Sequence, residues 1–61
     1  MNETNASEWA NERAGKILPD YMLASFLALP LKDRLIGIAT FAHICCDEEM
    51  RDAALEIAKY F

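Results

Sequence analysis

The stretch from Pro19 to Arg34, PDYMLASFLALPLKDR, decides the architecture. It contains the same punctuation twice: a proline, an acidic residue within the next three positions, then a helix-compatible run. Proline lacks a backbone donor and disfavours helical geometry in the residue before it, yet it sits well at the start of a new helix. Asp20 and Asp33 then meet the positive end of the helix dipole. Each proline therefore ends one helix and opens the next, with a second helix starting at Pro19 or Asp20 and a third at Pro30.

Upstream, Thr4, Asn5 or Ser7 can cap a first helix that runs to about Leu18, with residues 1–4 expected as a disordered N-terminus. Its apolar positions, Ala6, Trp9 or Ala10, Arg13 or Ala14, and Ile17, recur at three and four and form a narrow stripe. Glu12 and Lys16 make a favourable i, i+4 pair elsewhere on the helix. The second helix is apolar around most of its circumference, as expected of a central or interfacial element. In the third, running to about Cys45, Leu31, Leu35, Ile38, Ala42 and Cys45 form one seam, and Gly37, Phe41 and Ile44 a second. Two seams imply two neighbours, and Gly37 suggests close approach by another backbone. Asp47 or Cys46 caps a fourth helix whose stripe is Met50, Ala53, Ala54, Ile57 and Phe61, with Asp52, Glu56 and Lys59 outside it.

Composition agrees with this segmentation. Ala, Leu, Met, Glu, Lys and Arg supply 32 of the 61 residues, and valine is absent. These residues have the lowest cost in a helix, and too few β-branched residues remain for strands. The expected fold is all-α: one domain over residues 1–61, a small bundle of three to four short helices completed by homodimerisation. With 54% hydrophobic residues, so short a chain has more large apolar side chains than fully buried sites, and each one left wet forgoes about 1.5–3 kcal/mol. Self-association, with a C2 dimer as the usual closed form, is the simplest remedy. Aromatic and methionine side chains contribute most to such contacts, so Trp9, Tyr21, Met22, Phe26, Phe41, Tyr60 and Phe61 are the expected interface.

The formal net charge of −4 argues against direct nucleic-acid binding, which relies on Lys and Arg displacing counterions. A helix-turn-helix reading of the last two helices fails for the same reason, because Glu48, Glu49, Asp52 and Glu56 stand where a recognition helix needs basic or amide groups. With Asp47, these acids form a surface suited to a basic protein partner. They lack the loop pattern of a calcium hand.

The apolar runs Tyr21–Leu31 and Leu35–Cys46, eleven and twelve residues long, are too short to span a membrane, which takes about 20 residues. The N-terminus carries no signal-like pattern. Adjacent Cys45 and Cys46 cannot staple a loop and are expected as free thiols in a reducing, cytoplasmic compartment.

His43, Cys46 and Asp47 would share a face if the third helix continued, a partial metal site short of the four ligands a closed site needs. His43 with Cys46 is also the one thiol–base pair on offer, although neighbouring carboxylates oppose thiolate formation. The plainer expectation has Cys45 in the core as a small hydrophobe, His43 half-exposed at a helix end, and no cofactor or metal.

These readings converge on a non-enzymatic adaptor or inhibitor that self-associates and docks an apolar, acid-bordered helical surface on another protein. One alternative is an antitoxin- or antirepressor-like regulator acting on a DNA-binding protein. The other is a thiol or metal-binding protein using His43, Cys45 and Cys46. The size and composition would suit a phage or prophage accessory protein or a small bacterial regulator.

Overall fold

A computed structural model describes residues 2–61, which form four α-helices: α1 (Glu3–Ile17), α2 (Asp20–Leu27), α3 (Leu31–Ile44) and α4 (Glu48–Ala58). Among the described residues there are no strands. The all-helical expectation and its four segments hold. Leu18 and Pro19 are extended, with ψ 142° and 147°, so α1 and α2 are separate helices and not one kinked rod.

The first helix begins earlier than expected. The Asn2 side chain accepts a hydrogen bond from the Asn5 N–H at 2.8 Å, which caps the helix and places Glu3 and Thr4 in its first turn. The remainder of the expected disordered 1–4 segment, Met1, lies outside the described residues. The Glu12–Lys16 pair forms at 3.5 Å.

Helix α3 is the centre of the fold and packs against both α1 and α4. Among the described residues, seven of the eleven buried positions are alanine: Ala6, Ala10, Ala14, Ala39, Ala42, Ala54 and Ala58, joined by Leu18, Phe26, Leu35 and Ile38. The four-residue spacing of Ala6, Ala10, Ala14 and Leu18 places one smooth row of α1 against its neighbours. Small side chains at a helix contact set the axes near the close end of their usual 8–10 Å range. The larger members of the expected stripes, Trp9, Ile17, Met50 and Ile57, flank this core half-buried. Ala53, expected on the α4 stripe, is exposed, and Ala58 takes the buried position.

The accessible surface of 3984 Å² matches the roughly 4,000 Å² typical of a compact folded monomer of this mass. The apolar surplus is therefore not a sign of loose packing. It follows from which residues fill the interior: alanines inside, with Tyr21, Leu27, Leu29, Ile36, Ile44, Leu55, Tyr60 and Phe61 exposed.

Arg34 joins three elements. Its guanidinium donates to Ser7 Oγ at 2.9 Å and Asn11 Oδ1 at 2.7 Å on α1, and its Nε donates to the Leu29 carbonyl at 3.0 Å. The corner between α2 and α3 is thereby tied to the first helix.

Candidate functional site

An apolar groove opens between α2 and α3. It is lined by Tyr21, Met22, Ser25, Phe26, Leu29, Gly37 and Phe41 and has a volume of about 390 Å³. Helix α2 is short and, among its described residues, buries only Phe26. Of the two places expected for α2, central or interfacial, the central one is corrected: the helix lies at the edge, with Tyr21 and Met22 on the groove and Leu23 packed against the core. Phe26, expected at an interface, is a core residue at 7% exposure. The edge of its ring meets Gly37, where an added Cβ would fall 2.8 Å from Phe26 Cε2. Gly37 thus accommodates an aromatic ring, not the neighbouring backbone that the sequence suggested.

Four of the seven expected interface residues, Tyr21, Met22, Phe26 and Phe41, meet in this groove. Tyr21 stands on its rim at 85% exposure. Ile44, three residues beyond Phe41 on the same seam and 69% exposed, extends the apolar surface along α3. No carboxylate, imidazole or thiol lines the groove. Tyr60 and Phe61 are exposed at the far end of α4, where successive i→i−3 hydrogen bonds tighten the last turn.

Trp9 belongs to a different feature. A cleft of about 280 Å³ between α1 and α4 is lined by Trp9, Arg13, Asp47, Glu49, Met50 and Ala53. The Arg13 guanidinium carbon lies 4.7 Å from the centre of the Trp9 ring, within cation–π range. Trp9 is consequently half-buried, packed on the core below and covered by Arg13 above.

The acids Asp47, Glu48, Glu49, Asp52 and Glu56 are all exposed. Asp47 caps α4 by accepting from the Met50 N–H at 3.1 Å. Asp52 pairs with Arg51 at 3.1 Å and Glu56 with Lys59 at 3.0 Å. The acids of α4 are therefore solvated, with Glu48, Asp52 and Glu56 on its outer face and Asp47 and Glu49 at the cleft. Exposed pairs of this kind contribute about 0–1 kcal/mol, so a partner's cation can displace them at little cost.

The thiol end of α3 differs from expectation. Helix α3 stops at Ile44, and Cys46 adopts φ 61°. The Cys46 N–H donates to the His43 carbonyl at 3.1 Å and the Asp47 N–H to the Ala42 carbonyl at 2.8 Å. These two bonds form a Schellman motif with Cys46 in the place glycine usually holds. The turn removes the common face that would have gathered His43, Cys46 and Asp47. Among the described residues no three His, Cys, Asp or Glu side chains converge as ligands. Cys45 is exposed instead of filling the core, and both thiols are free. His43 is exposed too, with Nδ1 3.3 Å from an Arg51 guanidinium nitrogen.

No protein-family model matches the chain, and comparisons with curated proteins and with solved structures return no significant match. Among the described residues no helix is long and apolar enough to cross a membrane.

Proposed function

We propose that this chain is a non-enzymatic interaction protein that works as a homodimer, closing the α2–α3 groove against a second copy and presenting the acidic face of α4 to a basic protein. The observation that carries the reading is the groove itself: an open apolar surface with Tyr21 85% exposed on its rim. A knob and a hollow on one patch suit an isologous contact, in which each copy's projection meets the other's recess. A stable dimer buries about 800 Å² per partner, one fifth of the 3984 Å² surface. We assign that contact to the groove, its rim and the adjoining Ile44.

The outer face of α4 lies apart from the groove and provides the second surface. Glu48, Asp52 and Glu56, at intervals of four, are exposed on it, and Glu49 is exposed at the neighbouring cleft, which supports a salt-sensitive contact with a basic partner such as a DNA-binding protein. In that form the chain acts as an antitoxin- or antirepressor-like regulator, an adaptor or inhibitor that meets the protein and not the DNA.

Light scattering across a concentration series tests the dimer. The expected mass is twice that of the chain, and Tyr21→Asp, which places a charge at the contact, shifts the protein to monomer while circular dichroism stays helical. A wild-type chain that remains monomeric at the highest concentration overturns the homodimer.

A further inference from the structure

The cleft between α1 and α4 has a chemistry that the groove lacks. Helix α3 packs against both helices, and these two meet each other so little that a space of about 280 Å³ stays open between them. Pockets for drug-sized ligands run to about 300–1,000 Å³, so this one suits a single side chain of a partner. Trp9 and Arg13 come to it from α1, and Asp47 and Glu49 from the start of α4. One cation and two carboxylates therefore line the same space, yet Arg13 pairs with neither acid. Its ion pair, at 3.6 Å, is with Glu12, the preceding residue, and its guanidinium lies on the Trp9 indole. The Asp47 carboxylate is engaged in capping α4. Glu49 is exposed and makes no salt bridge among the described residues.

We infer that the cleft seats an arginine side chain of the basic partner, which displaces Arg13 from Trp9 and pairs with Glu49. This rests on the proposal that the chain meets a basic protein, and names the point at which that protein is anchored. The fold itself carries the evidence for the ligand class, because a guanidinium already occupies the indole face. Arg13 is held there weakly, by one cation–π contact near the surface and one long ion pair to an exposed neighbour. An incoming arginine makes the same stacking contact and adds a pairing with Glu49 that Arg13 does not make, while Arg13 keeps Glu12. Arginine suits both surfaces of the cleft better than lysine does, since its planar group stacks on an aromatic ring and offers a carboxylate two parallel donors.

The test titrates a capped Gly-Arg repeat peptide, and its uncharged citrulline counterpart, into the full-length protein at physiological ionic strength. Calorimetry reads binding, and the emission of Trp9, the only tryptophan in the sequence, reads occupancy of the cleft. The arginine peptide is expected to bind and to shift the emission saturably, and the citrulline peptide to do neither. Arg13→Ala should bind the arginine peptide about threefold tighter or more, because the cleft no longer holds a guanidinium of its own. Lys16→Ala makes the same change of charge on α1 outside the cleft and should stay within about twofold, as screening predicts. Glu49→Gln should weaken binding about fivefold or more, and Glu48→Gln, outside the cleft, by less than about twofold. Circular dichroism checks each variant for retained helix, and the two glutamate variants decide the matter if Arg13→Ala loses it. Equal weakening by the two glutamate variants, looser or unchanged binding by a folded Arg13→Ala, equal binding of the citrulline peptide, or binding that leaves Trp9 emission unmoved each overturns the cleft and leaves a general acidic contact standing. An arginine peptide that fails to bind at low salt as well overturns both.

Discussion

Helix α3 meets its neighbours in two ways. Toward α1 and α4, Leu35 and Ile38 of α3 share a core with Ala10, Ala14, Ala39, Ala54 and Ala58. Toward α2 the contact is the edge of one aromatic ring against one glycine, and an open groove adjoins it. The first side draws stability from proximity: many weak dispersion contacts at short range, each side chain bringing little apolar area. The second side holds α2 through few contacts and leaves Tyr21, Met22 and Phe41 able to meet another surface. A chain of 61 residues thereby uses one side of its central helix to hold the fold together and leaves the other open along a groove.

Adding carbon atoms at chosen points tests this contrast. The largest effect is expected on the alanine side. Ala54→Leu introduces a branched side chain at a position with no exposure, and overpacking there should cost about 3 kcal/mol or more. That approaches the whole stability of a domain this small, so urea titration should show loss of a cooperative transition. A milder response, with the midpoint barely moved, would mean that the three-helix contact can yield and that the alanines are not what sets its spacing.

A smaller cost is expected across α2. In Gly37→Ala the new methyl meets Phe26 Cε2 at 2.8 Å, and the ring must move. Overpacking costs about 1–3 kcal/mol and the helix gains about 1 kcal/mol from replacing glycine, leaving a net destabilisation of about 1 kcal/mol. Combining it with Phe26→Leu should prove less destabilising than the sum of the two single changes, the non-additivity expected of a touching pair. Additive losses would place the strain elsewhere.

The least effect, and of opposite sign, belongs to Gly15→Ala. Nothing lies within 4 Å of the added Cβ, so only helix propensity operates, and thermal unfolding should show a gain of about 0.5–1 kcal/mol. A loss would reveal a contact on the outer face of α1.

Much of this arrangement was legible in the sequence, and the failures share a cause. The helix boundaries could be read because Pro19, Pro30 and Asp47 act locally, through a missing donor or a capping carboxylate. The choice of buried row could not be read in the same way. Trp9 with Arg13 and Ala10 with Ala14 are adjacent rows of α1, both compatible with helical spacing, and a reading that weights large apolar residues favours Trp9. The structure buries the alanine row and leaves Trp9 half-buried at its edge. The burial of Phe26 is hidden in the same way, since only the partner across the gap, a glycine eleven residues later, leaves room for the edge of the ring. Arg34 carried no signal at all, because Ser7 and Asn11 lie 27 and 23 residues away. The groove was half legible: its residue types were identified, but their gathering on one side of α3 depends on α2 standing at the edge. Cys45 extends the seam of Leu35, Ile38 and Ala42 by helical spacing, which favours the core, but α3 ends at Ile44 and the thiol is exposed.

Asp47 has a consequence for how the domain opens. Its amide is engaged by the Ala42 carbonyl of α3, while its carboxylate holds the Met50 amide of α4. One residue therefore closes the end of one helix and the start of the next, with three residues between them. A change in its backbone angles releases both bonds at once, so the two helix ends cannot fray independently. Local melting at this corner is a single event shared by α3 and α4, and the amides of Asp47 and Met50 become accessible to solvent exchange together.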